Sequence, residues 1–332
     1  MRPAQNAKTM VTPGREEPGE EALARAHDEV RRVAELRAPV VERGFRLMWA
    51  YAGPGPHAEM GSFDLPAEPG SYAIVGRHSC ADVVLARDEQ ISLRHLLASA
   101  YVLEDGGVAL RLLDLQTTLP MRFDDDVPRH SIVATSAFRV RLGRYVLAGA
   151  PILPGAPIAD PLEAAAPADA VSVHELPLPP RNTLIDSPSD GSAPISVASL
   201  PPVASVVMLI SKPKLEPGEA HLAFEIGGRS RSIVFDQEEL DRGLLVGRDP
   251  RCVGASKDAA GAGIAELLPI QVSRVHLLLL RDHGRIFAFD TGSTNGTFRG
   301  GERVRRAELD ADHRSLRFAG PSGVKMTLTL AG

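Results

Sequence analysis

The sequence predicts an all-β protein: two β-sandwiches joined by a disordered Pro/Ala/Ser-rich linker, with a short amphipathic helix near the N-terminus. Three observations carry this. At 332 residues the chain is longer than one hydrophobic core usually organises. It contains 27 prolines and 30 glycines, which commits many residues to turns and short strands rather than long helices. Its apolar residues fall in short runs punctuated by Gly, Pro, Asp or Asn, and two such regions flank a stretch with neither helical nor strand period.

Residues 1–19 are polar and broken by prolines, as expected of a disordered end. Over 20–43, Leu23, Ala26, Val30, Val33 and Leu36 recur at helical spacing between charges and share one face of a helix that Pro39 would end. That face is expected to pack on the neighbouring domain. The first domain is expected over 44–150, with strands in RLMWAYA, SYAIVG, ADVVLA and HLLASAYVL, a hairpin turn at Glu104 to Gly107, and FRVRLGRYVLAG as the closing unit. Between 151 and 205 the chain turns to Pro, Ala, Ser and Asp, which cannot bury a core, and a flexible linker is expected. The second domain, 206–332, opens with HLAFEIGG and SRSIVF, continues with VHLLLL and RIFAF across Asp282-His283-Gly284, and ends in KMTLTL.

Composition excludes several classes. A net charge of -5 gives no global field toward nucleic acid or an anionic membrane, so any anion site must be local. Cys80 and Cys252 are too few for a disulfide framework or a thiolate metal site, and no metal or cofactor is expected. No signal-peptide core and no stretch of ~18 apolar residues is present, so the expected location is cytoplasmic.

The two domains contain an internal repeat. Each has an apolar strand ending in Gly-Arg, at Gly76-Arg77 and Gly247-Arg248, then a turn containing a cysteine. Each then shows Ser-x-x-His, at Ser92 to His95 and Ser273 to His276, leading into a hairpin whose second strand ends in Asp114 or Asp290. The arginine-to-serine interval is 92 − 77 = 15 in the first copy and 273 − 248 = 25 in the second, and the difference of ten maps onto the small-residue segment GASKDAAGAGIAELL, which a β-scaffold tolerates as a loop.

In the second copy the residue types suit anion recognition. Arg248 and Arg274 are fixed-charge forks for phosphate oxygens, Ser273 offers a hydroxyl, and Asn295 an amide that can grip a peptide backbone. Gly292 and Gly296 flank that asparagine in a run of hydroxyl residues, so a tight turn can expose backbone N–H groups. No enzyme emerges from the same residues. At the start of a strand, Ser273 and His276 would point to opposite sides, and GSTNG has no Walker lysine and leads into strand rather than helix.

The ordered set Gly-Arg, Ser-Arg-x-His and Asp-x-Gly-Ser-Thr-Asn-Gly-Thr resembles the forkhead-associated (FHA) domain over about 206–332. The resemblance implies an FHA β-sandwich holding phosphothreonine in the loops of one end. It implies that Arg248 and Ser273 bind phosphate with help from Arg274, that Asn295 holds the peptide main chain, and that Thr294 lines the pocket for the threonine methyl group. His276, Gly247 and Gly296 would be structural.

Over 44–150 the resemblance is incomplete. Arg77 and Ser92 survive, but Leu93 stands where the arginine should follow the serine, with Arg94 one place later. Leu119 replaces the peptide-gripping asparagine and Pro120 the glycine, removing the amide contact and a backbone donor. This copy is expected to be degenerate and to serve a structural or docking role. In the linker, Thr183 with Asp186 resembles an acceptable ligand, which once phosphorylated by a kinase would bind the second domain within the chain or in another copy. The expected function is a phosphothreonine-peptide-binding adaptor whose partner belongs to a Ser/Thr kinase pathway; the alternative is a phosphate-independent assembly scaffold.

Overall fold

The computed structural model describes residues 18–36, 38–54, 59–115, 117–123, 127–158, 215–249, 252 and 268–331. Most of the expected linker, with Thr183, lies outside them. Among the described residues there are two helices, Glu20–Leu36 and Glu239–Arg242, and four sheets.

The N-terminal unit has one sheet in the order Met60–Pro66, Gly44–Tyr51, Tyr145–Ile152, Phe138–Leu142, Met121–Arg122 and Pro128–Arg129. Its second sheet runs Val83–Val84, Ala73–Gly76, Leu96–Val102, Val108–Asp114 and Ser131–Ala134. The C-terminal unit repeats this order. Its first sheet is Arg229–Asp236, Glu219–Ile226, Val324–Leu330, Ser315–Phe318, Thr297–Arg299 and Glu302–Val304; its second is Leu244–Val246, Leu277–Asp282, Arg285–Asp290 and Arg306–Glu308.

Each unit buries its own core between its two sheets, with Phe45, Leu96, Leu110, Phe138 and Tyr145 in the first and Leu222, Phe224, Leu277, Phe318 and Met326 in the second. Side chains of this size contribute about 1.5–3 kcal/mol each when fully buried. The strand Glu219–Ile226 alternates buried and more exposed positions, as an antiparallel strand with one wet face should.

The N-terminal helix covers the outer face of the first sheet. Ala26, Val30 and Val33 are buried against Met48, Ala50, Val146 and Ala148, and the helix stops at Leu36, short of Pro39. Beneath it Arg46, fully buried, faces its cross-strand partner Asp64 in a two-pronged ion pair, with Nε donating to Oδ1 at 2.6 Å and Nη2 to Oδ2 at 2.9 Å.

The two sandwiches are not beads on a string. Their second sheets pack face to face around a shared cluster in which Ile74, Leu97, Leu113 and Leu115 meet Leu245, Leu278, Leu280, Phe287 and Phe289. The contacts come in pairs that exchange under the internal repeat. Tyr72 packs on Phe289 with ring centroids 4.7 Å apart, and at the equivalent positions Gly243 lies against Leu113, close enough that a Cβ would sit 2.9 Å from Leu113 Cδ2. Likewise Gly70 lies against Phe287, while Arg111 Nη2 donates to the carbonyl of Asp241 at 2.8 Å. The interface is therefore an approximate two-fold, the isologous geometry of a homodimer within one chain. Its rim is polar: Arg305 forks onto Asp82 at 2.8 and 3.0 Å, and the Tyr72 hydroxyl donates to the carbonyl of Arg305 at 2.7 Å.

Candidate functional site

Three loops at one end of the C-terminal unit bring the candidate residues together. The first leaves the strand Leu244–Val246 through Gly247, where a Cβ would stand 2.0 Å from the carbonyl oxygen of Arg274. Only glycine allows this approach. It lets the N–H of Arg248 donate to the carbonyl of Ser273 at 3.3 Å and that of Asp249 to Arg274 at 2.9 Å. Arg248 Nε donates to the carbonyl of Val272 at 2.6 Å, which fixes where the guanidinium fork points.

The second loop, 271–276, contacts the other two. The N–H of Thr294 donates to Ser273 Oγ at 3.3 Å, and Asn295 Nδ2 to the carbonyl of Gln271 at 2.7 Å. Arg248 and Ser273 are half-buried, whereas Arg274, Thr294 and Asn295 are exposed. Arginine fork, hydroxyl and amide thus share one rim, the arrangement an anionic peptide ligand needs.

The third loop, 290–296, is organised by Asp290, which the sequence marks as a strand end and as the first residue of the Asp-x-Gly-Ser-Thr-Asn-Gly-Thr motif, with no role of its own. Its Oδ1 accepts the N–H groups of Gly292 and Ser293 at 2.8 and 2.5 Å, and its Oδ2 the hydroxyls of Ser293 and Thr297 at 2.6 and 2.7 Å. The signal was present as an aspartate leading a Gly-Ser-Thr run, the local pattern by which Asp caps its own following backbone. Gly296 closes the loop at φ +77, and a Cβ there would meet Arg303 Nε at 2.6 Å. Arg303 Nη2 donates to the carbonyl of Ser293 at 3.3 Å.

Behind the loops lies His276, fully buried. The expectation that Ser273 and His276 diverge along a strand is corrected: the strand begins at Leu277, and the ring turns back so that Nδ1 accepts the N–H of Ser273 at 3.2 Å. Nε2 then carries the proton and donates to the carbonyl of Gly296 at 3.2 Å. Burial pushes this imidazole down to about 4, against the pull of Asp290, so it is neutral at pH 7. Both ring nitrogens are spoken for, and the histidine ties the second loop to the third.

The N-terminal unit repeats the scaffold but not the rim. Arg77 N–H donates to the carbonyl of Ser92 at 3.0 Å, Arg77 Nε to that of Ile91 at 3.1 Å, and the Ser92 N–H to His95 Nδ1 at 3.0 Å, each the counterpart of a bond above. Leu119, in the place of Asn295, packs on the hydrophobic core instead, and its carbonyl lies 2.8 Å from His95 Nε2. The structure therefore brings Arg77 and Ser92 together with Leu119, among the described residues, at the position equivalent to Asn295.

Comparison with known proteins bears on the C-terminal unit directly. The model of the FHA domain family matches residues 244–317. A search of curated proteins finds no match. Among solved structures, the chain is similar to Mycobacterium tuberculosis Rv1747 FHA-1, at 24% identity over 34% of this chain and 98% of that one, with a TM-score of 0.24. It is also similar to the FHA domain of the Chlamydia trachomatis protein CT664, at 23% identity over 32% of this chain and 96% of that one, with a TM-score of 0.25. With the family model spanning strand, loops and site residues alike, the C-terminal unit carries an FHA domain.

Proposed function

We propose that the chain is an adaptor that captures a phosphothreonine peptide at the rim of its C-terminal unit. The carrying observation is the convergence of Arg248, Ser273 and Asn295, far apart in sequence, on the loop 271–276. In this reading Arg248 and Ser273 hold the phosphate, Arg274 adds a second, more exposed charge, Asn295 grips the peptide main chain, and Thr294 lines the space for the threonine methyl group. Charge-assisted bonds from a fixed fork give such a site its preference for a dianion over a free hydroxyl. The partner is a phosphothreonine protein of a Ser/Thr kinase pathway. Thr183 is a candidate self ligand, which stoichiometric phosphorylation would reveal by weakening capture of an external phosphopeptide.

A second reading has one observation in its favour. The two units dock to each other through apolar sheet faces, so these sandwiches can act as assembly surfaces. The readings separate in a titration of a phosphothreonine peptide library against the full chain and Arg248→Ala. Capture at about micromolar concentration, a free energy near -8 kcal/mol, that disappears in the variant supports the first reading; no binding by either protein supports the second.

A further inference from the structure

The degenerate loop of the N-terminal unit ends against the C-terminal site. Arg94 occupies the position that Val275 holds in the second copy, and its side chain crosses the two-fold interface to that residue. Nη1 donates to the carbonyl of Val275 at 3.3 Å, and Nη2 donates to the carbonyl of Gly292. Val275 follows Ser273 in the second loop of the site; Gly292 precedes Thr294 in the third. One planar guanidinium thus joins the two loops that must stay in register for Ser273 and Asn295 to face one ligand.

From within the C-terminal unit these loops are joined by the Thr291 hydroxyl, which donates to the carbonyls of Val275 at 3.1 Å and His276 at 3.3 Å, by the Thr291 N–H to the carbonyl of His276 at 3.1 Å, by the His276 ring, by Asn295 Nδ2 to the carbonyl of Gln271 at 2.7 Å, and by the Thr294 N–H to Ser273 Oγ at 3.3 Å; Arg94 adds to them from the other unit. Gly292 itself sits at φ +84, and a Cβ there would stand 3.4 Å from Arg94 Nε, so the loop lies directly on the guanidinium. A fixed cation behind a site for a phosphate dianion also adds favourable potential.

We infer that Arg94 is a positioning residue for the phosphopeptide site of the other unit, so that the N-terminal copy serves as a buttress built into the same chain. The inference rests on the proposed capture of phosphothreonine. A second cross-interface arginine provides the control: Arg111 donates to the carbonyls of Asp241 and Arg242 at the far end of the interface, away from the rim.

The test uses the full chain and a phosphothreonine peptide chosen from the library titration. Arg94→Ala is expected to lower affinity about tenfold, mainly through faster dissociation, and to speed amide hydrogen exchange of residues 291–295 in the ligand-free protein. Arg94→Lys, which keeps the charge and can reach one carbonyl, restores part of the affinity. Arg111→Met leaves both affinity and exchange at 291–295 as in the wild type. Unchanged exchange at 291–295 in Arg94→Ala overturns the inference whatever the affinity does, as does an Arg111→Met effect of equal size. A wild-type chain that binds no phosphothreonine peptide overturns the proposed capture itself, and the role assigned to Arg94 with it.

Discussion

The Nδ1 of His276 accepts the backbone N–H of Ser273 at 3.2 Å, and the counterpart ring of His95 accepts the N–H of Ser92 at 3.0 Å. In both units a buried imidazole closes its own loop and reaches the next one through Nε2. The brace does not depend on the rim: it is present where Leu119 stands in the place of Asn295. This separates what the scaffold needs from what a ligand needs. The histidine belongs to the first class; Asn295 belongs to the second under the proposed function.

The brace makes stability depend on pH. His276 is held at about 4 in the fold, against an ordinary value of 6.5, because its charged form is desolvated. A depressed histidine contributes stability that is fully present above pH 6.5 and is lost as the pH falls toward 4. The difference amounts to about 3 kcal/mol, and burial shifts His95 in the same direction. Urea unfolding of the wild type at pH 7.5 and 4.5 should therefore show a larger loss than His276→Gln shows over the same interval. A nuclear magnetic resonance titration placing the His276 ring near 6.5 in the folded protein would contradict this account.

The buried pair Arg46–Asp64 gives a sharper mutational expectation. Side chains of both residues are almost wholly enclosed under the N-terminal helix, and Asp64 also accepts the N–H of Val40 at 2.8 Å. Asp64→Ala removes the carboxylate that both prongs of a buried guanidinium meet, at a cost of about 3–5 kcal/mol. Replacing both residues with a Met/Leu pair of similar volume removes the desolvation burden with the attraction, and should come near the wild type. Chemical denaturation of the single and double variants distinguishes the two. A double variant no better than Asp64→Ala would mean the pair is needed for more than charge balance.

How far the sequence could be read depends on which partner a residue meets. The rim was legible because it is written in local pattern: Gly247 must be glycine for the loops to touch, and Asp290 through Thr297 cap one another within a single turn. The strand Met60–Pro66 was not legible. Its sequence MGSFDLP contains glycine and proline, and Gly61 is required only because the ring of Trp49 lies over it from the neighbouring strand.

The interface was written in the sequence but read only as strand. Leu277 to Leu280 is an unbroken apolar run in an antiparallel hairpin, whereas Glu219–Ile226 alternates. An unbroken run means both faces of the strand are covered. Leu277 and Leu279 fill the unit's own core, and Leu278 and Leu280 the layer shared with the other unit. Arg94 carried no such mark, because its two acceptors lie in the other repeat.

That shared layer sets the last expectation. Two sandwiches joined only by a linker would unfold in separate transitions, and mutations in one would not sense the other. Here Tyr72 and Phe289 come from different units, with ring centroids 4.7 Å apart, and the Tyr72 hydroxyl reaches the carbonyls of Asp290 and Arg305. Phe289→Ala should cost about 3–5 kcal/mol. In a double-mutant cycle with Tyr72→Ala the coupling should be about 0.5–3 kcal/mol, since residues in contact do not add. Calorimetry of the wild type should show one cooperative transition rather than two. Zero coupling together with two resolved transitions would mean that the sandwiches fold independently and that the N-terminal unit cannot support the rim of its neighbour.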